Sequence, residues 1–144
     1  MSTIREVLDR KGGTVLTTHR QASVLEAIGE MSQANIGALV IEQDGHPVGI
    51  FTERDYLRKI ALEGRSSSKT PVEDVMSSPL ITVTPADSTG KAMKTMTDSR
   101  CRHLVVVEGG NMVGIVSLGD LVKHMLVDKE AEVEQLSSYI SGSY

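Results

Sequence analysis

Two short segments carry residue types that could hold a polar ligand: Thr52-Glu53-Arg54-Asp55 and Ser117-Leu118-Gly119-Asp120. In each, a hydroxyl and a carboxylate stand three positions apart, one turn apart at a helix start. The spacing has two readings. Hydroxyl and carboxylate can cap the helix reciprocally, and from residue chemistry alone that reading comes first. Alternatively the carboxylate accepts two hydrogen bonds from a sugar cis-diol, while the helix start favours a phosphate. Catalysis finds less support. The four histidines, His19, His46, His103 and His124, are scattered. No G-x-S-x-G, H-E-x-x-H, P-loop or G-x-G-x-x-G pattern occurs. Glu53 and Asp55 make a weak carboxylate pair. The chain reads as a non-enzyme.

The elements that must position these residues occur twice. Sliding the chain by 65 residues aligns Thr17–Leu57 with Thr82–Val122 without a gap, and 11 of 41 pairs are identical. Each copy reads β-α-β-β-α. A β-rich run (14–18; 80–84) leads into a helix. In the first copy Ser23 and Glu26 predict a capping box, and Val24, Ala27, Ile28 and Met31 form one apolar stripe. Ala92, Met93 and Met96 form the matching face. Strands 38–42 and 47–51 join at Asp44-Gly45, and strands 103–107 and 112–116 join at Gly109-Gly110, both hairpin signals. Second helices start after Thr52 and Ser117. Leading helices are expected at Thr3-Ile4-Arg5-Glu6, another capping box, and at Thr70-Pro71-Val72-Glu73. After Val127, Val133, Leu136 and Ile140 predict a further helix that packs on a partner or on the body.

A tandem β-α-β-β-α unit carrying Gly49-Ile50-Phe51-Thr52-Glu53-Arg54-Asp55 and Gly114-Ile115-Val116-Ser117-Leu118-Gly119-Asp120 resembles the CBS domain pair, or Bateman module. The resemblance implies an α/β (α+β) fold of two CBS repeats related by a pseudo-two-fold. It divides the chain into repeat one with its N-terminal helix (1–64), linker and repeat two (65–128), and a helical tail (129–144). It implies regulatory sensing of adenosine ligands, AMP, ADP, ATP or NAD among them, with S-adenosylmethionine also bound in the family. No catalytic cofactor and no metal is expected.

The implied site follows residue by residue. Asp55 and Asp120 would bind ribose, with Thr52 and Ser117 beside them. Arg102 and His103 match a basic position that contacts phosphate, Arg54 is a further candidate, and its counterpart Gly119 admits a ligand to the backbone. Adenine would lie against Gly13, Thr14, Val15, Ile36 and Gly37 in the cleft of Asp120, and against Pro79, Leu80 and Cys101 in that of Asp55. Cys101 reads best as a small buried apolar residue. Repeat one carries three extra residues near Lys11-Gly12-Gly13 relative to Ser77-Ser78-Pro79.

Composition narrows the partners. A net charge of −4 gives no overall attraction to nucleic acid or anionic lipid, and Arg100, Arg102 and His103 are too few for a basic stripe. No apolar run is long enough for a bilayer, and no secretory signal is recognised, so a cytoplasmic protein is expected. The expected partners are an adenine nucleotide, a second copy of the chain in a homodimer, and a separate target protein. The competing reading is a ligand-free dimerisation scaffold.

Overall fold

The structure, a computed structural model, describes residues 2–12 and 15–140, the last three as backbone only. Gly13, Thr14 and the side chain of Ile140 therefore lie outside the description.

Helix α1 (Ile4–Lys11) precedes β1 (Thr17–His19), α2 (Val24–Ala34), β2 (Ala38–Gln43) and β3 (His46–Thr52). A first helical turn, α3 (Glu53–Asp55), then widens into a π-helical stretch, Tyr56–Ala61. The second copy holds β4 (Thr82–Val83), α4 (Thr89–Ser99), β5 (His103–Glu108), β6 (Asn111–Ser117) and α5 (Leu118–Ile140). In each sheet the middle strand pairs parallel to the short first strand and antiparallel to the third. Parallel pairing needs a helical crossover, and α2 and α4 supply it. The hairpins close at Asp44-Gly45 (φ 52° and 79°) and Gly109-Gly110 (φ 60° and 81°). Two successive positive φ values are what a type I′ turn requires, which explains the glycine-rich pairs.

Each repeat has its own core. Val24, Ala27, Met31, Leu39, Ile41 and Phe51 fill the first, and Val83, Ala92, Met96, Leu104, Val106 and Val116 the second. The leading segments exchange cores. Ile4 and Val7 of α1 are buried in the second core, whereas Val72 and Val75, from between the repeats, are buried in the first. The backbone repeats this exchange: Ile4 N–H donates to Asp87 C=O and Val72 N–H to Ala22 C=O, at 2.9 and 2.8 Å. Leu8 packs over Gly114 and Met76 over Gly49, where any β-carbon would collide with them. Each repeat is thus completed by a segment from outside its own β-α-β-β-α unit.

Several expectations change in detail. The segment at Pro71 forms one 3-10 turn, Val72–Asp74, with Pro71 before it and not inside it. Thr3 and Ser23 each accept the N–H three residues on, but only the hydroxyl half of the expected capping box forms at both. The first strands are shorter than the β-rich runs: Thr17–His19 and Thr82–Val83 are the residues that pair with the middle strands. The tail is no separate helix. Residues 129–140 continue α5 without a break, with 129–137 exposed on it, and residues 141–144 lie outside the described residues.

Candidate functional site

Asp120 sits in the first turn of α5, where the chain leaves β6. Ser117 N–H donates to its Oδ2 at 2.9 Å, and Asp120 N–H donates back to Ser117 Oγ at 3.0 Å. The same Oδ2 accepts from Lys11 Nζ at 2.7 Å, and Lys11 Nζ also donates to Ile115 C=O at 2.9 Å. Burial alone would raise the Asp120 carboxyl, but the Lys11 ammonium and the Ser117 N–H outweigh it and hold the group below its ordinary value. Around this carboxylate opens a cleft of about 520 Å³ between the repeats. Asn35–Ala38 form one wall, Gly114, Ile115 and Ser117 another, and Val15, Leu16, Val113 and Ile36 give it apolar surface.

Asp55 has the same local motif in a different setting. Thr52 N–H and Oγ1 donate to its Oδ2 at 3.1 and 3.2 Å, and Asp55 N–H returns a bond to Thr52 Oγ1. Ser77 Oγ then bridges both carboxylate oxygens at 3.0 and 3.2 Å, and Lys59 Nζ lies 3.2 Å away. The residue is only 7% exposed. Ser77 is fixed there by a two-way backbone bridge to Ile50, at 3.0 and 2.8 Å.

The difference follows from chain length. Leu8 and Met76 occupy equivalent places, but the path from Leu8 to Thr17 is three residues longer than that from Met76 to Thr82. The short path draws Ser77 across Asp55. The longer one ends α1 at Lys11 and turns away at Gly12, whose φ of 64° favours glycine.

Of the residues singled out from sequence, Val15, Ile36, Gly37, His103, Ser117 and Asp120 line the one cleft. Arg102 and Gly119 do not. They border a shallower groove of about 510 Å³ with Leu118, Val122, Lys123 and Leu126, to which His103 and Ser117 also contribute. Arg54 is exposed beside Asp55. Pro79 is exposed after a cis bond from Ser78, Leu80 is half-buried, and Cys101 packs on the second core. Burial pushes the Cys101 thiol up, as for an unreactive apolar residue. Burial likewise lowers His103, and neighbouring Lys11 adds to it, so the imidazole is mainly neutral at pH 7. Lys11 and Ser77 were not among the residues singled out. Basic residues at a helix end are common, and nothing in the sequence marks which one reaches a carboxylate 109 positions away.

Two three-stranded sheets with swapped leading segments, meeting at a cleft with a capped acidic turn, define a tandem-repeat α/β architecture. The CBS domain model matches residues 4–62 and again 72–127, and the chain belongs to the CBS-domain family. It is 42% identical to the CBS domain-containing protein CBSX3, mitochondrial, of Arabidopsis thaliana, covering 99% of this chain and 74% of that one. Among solved structures it is similar to a CBS-domain protein of Burkholderia ambifaria described as a candidate signal-transduction protein. That likeness has 40% identity and a TM-score of 0.85, over 88% of this chain and 96% of that one. A hexameric CBS-CP12 protein from bloom-forming cyanobacteria aligns at 25% identity with a TM-score of 0.76, over 85% of this chain and 70% of that one. Among the described residues no helix is long and apolar enough to cross a membrane.

Proposed function

We propose that the protein is a regulatory, non-catalytic module that binds an adenosine nucleotide, AMP, ADP, ATP or NAD, in the cleft of Asp120 and passes its occupancy to a separate target protein. The observation that carries this reading is the contrast between two corresponding hydroxyl–carboxylate motifs. The Asp55 carboxylate is saturated by Ser77, Thr52 and Lys59, whereas Asp120 faces a cleft of about 520 Å³. That volume lies within the ~300–1,000 Å³ usual for small-ligand sites. The ribose diol would bond Asp120, and the base would lie against Val15 and Ile36. The ligand acts by differential binding: it favours one arrangement of the repeats by no more than its affinity difference between arrangements.

The test is thermal unfolding with AMP, ADP, ATP, NAD, S-adenosylmethionine and GTP. At about 100 times Kd, binding adds ~2.7 kcal/mol to the folded state, a shift of roughly 5–10 °C for a chain of this size. An adenine-specific shift supports the sensor reading. A flat panel after removal of co-purified nucleotide rejects it in favour of the scaffold.

The second copy belongs to the same proposal. Val122, Leu126, Val133 and Leu136 are 42%, 60%, 57% and 61% exposed on α5. Their spacing of four, seven and three residues keeps them on one helix face, as in a coiled-coil seam. The hexameric cyanobacterial relative supports assembly through this fold. Leu126→Glu with Leu136→Glu should shift the sedimentation coefficient to that of a monomer. An unchanged coefficient rejects this face.

A further inference from the structure

We propose that Lys11 is the charge gate of the Asp120 cleft: it holds that carboxylate until a ligand diol takes it, then turns to the ligand's phosphate, so that phosphorylated adenosine ligands are admitted and neutral ones held off. The inference rests on the ribose reading of Asp120 and adds to it a residue that sets ligand charge.

Three observations carry it. The first is position. Lys11 ends a helix anchored by Ile4 and Val7 in the second core, so its backbone is held in place while its Nζ bonds both Asp120 Oδ2 and Ile115 C=O at the cleft. The second is charge. Among the described lining residues, Lys11 and Asp120 are the formally charged pair, and His103 is mainly neutral at pH 7. Arg102 and Lys123 border the neighbouring groove instead. A phosphate in this cleft therefore has Lys11 as its nearest full cation. The third is the contrast with Asp55, where the corresponding ammonium, Lys59, comes from the same helical segment and also donates to Val75 C=O at 2.9 Å, behind a carboxylate that Ser77 seals. Lys11 instead reaches its carboxylate from another element.

The selection follows from what each ligand returns for the ion pair it breaks. A neutral nucleoside gives Asp120 two hydroxyl donors but leaves the Lys11 ammonium, on a side chain 36% exposed, without the anion it had, so the broken ion pair is not replaced. A nucleotide gives the ammonium a phosphate oxygen and a new charge-assisted hydrogen bond. The flexible four-carbon stem of lysine permits the move without shifting α1. Discrimination thus comes from a penalty on the wrong ligand as much as from attraction to the right one.

The experiment compares adenosine, AMP and ADP by calorimetric titration of the full chain, the Lys11→Met and Lys11→Arg variants, and Asp120→Ala. The wild-type chain should prefer AMP to adenosine by about tenfold or more, the scale of one charge-assisted bond. Lys11→Met should bring that ratio close to one, with adenosine bound at least as tightly as by wild type, and Lys11→Arg should restore the preference. Lys11→Gln serves as the second neutral variant where Lys11→Met melts below the titration temperature. A neutral variant that binds both ligands and keeps the wild-type ratio overturns the gate while leaving the ribose site standing. Asp120→Ala retaining both affinities, or a wild-type chain that binds none of the three, overturns the ribose reading and the gate with it.

Discussion

Ser77 Oγ lies 3.0 Å from Asp55 Oδ1 and 3.2 Å from Oδ2, so a residue from between the repeats closes over a carboxylate 22 positions earlier. With the Thr52 bonds this gives Asp55 a part in holding the fold. Asp55→Ala removes the carboxylate half of the capping box at α3, leaving the Thr52 hydroxyl half, and leaves Ser77 Oγ without its acceptor. The expected loss is about 1–3 kcal/mol of stability, with nucleotide binding at the other cleft unchanged. Urea unfolding of the variant checks the first part and titration the second. An unaltered midpoint would contradict the structural role.

The exchange of leading segments predicts a crossed pattern of damage. Ile4 and Val72 are both 0% exposed. Truncating either to alanine should cost about 2–5 kcal/mol, the usual range for a buried aliphatic. Hydrogen exchange locates the loss. Ile4→Ala should speed exchange in α4 and β4–β6, and Val72→Ala in α2 and β1–β3. Faster exchange in α2 of Ile4→Ala, with α4 unaffected, would contradict the exchange of cores.

Acid should weaken the fold in two stages. Asp87 is held below 3.8 by the Thr84 N–H and by Lys91, and Asp120 is also held below 3.8, as described above. A carboxyl depressed in the fold contributes stability above its unfolded value and loses it as pH falls through the folded one. His103 is depressed below 6.5, chiefly by burial and then by Lys11 and Arg102, against the opposing pull of Asp120 and Glu53. Its folded form binds fewer protons, so its contribution is present above 6.5 and declines as pH drops from there. The melting temperature should fall on acidification, first below pH 6.5 and again below 3.8. His103→Gln should flatten the upper stage alone. A melting temperature that rises from pH 7 to 5 would contradict these signs.

The repeat, the hairpins and the core stripes were legible in the sequence because each rests on local chemistry. Gly45 and Gly110 fit turns of positive φ, and Val24, Ala27 and Met31 share a helix face. The two acidic turns were legible as motifs, and Arg54 against Gly119 and the three extra residues marked the two sites as unlike. What separates them is set by long-range geometry: Ser77 is drawn over Asp55 by a short path, and Lys11 reaches Asp120 from a helix that packs on the other repeat. The extra residues after Lys11 were visible as a length difference, but their consequence needed the position of Gly12 and of α1. Arg102, expected at a phosphate from the family resemblance and the fork of its guanidinium, borders the outer groove with Lys123.

The proposed single adenosine site at Asp120 is tested by calorimetric titration with the nucleotide that gives the largest thermal shift. The predicted result is one ligand per chain for wild type and Asp55→Ala. In Asp120→Ala binding should weaken by about 1.5–3 kcal/mol, the range for hydrogen bonds to a charged group. Two ligands per chain, or undiminished binding by Asp120→Ala, would contradict it.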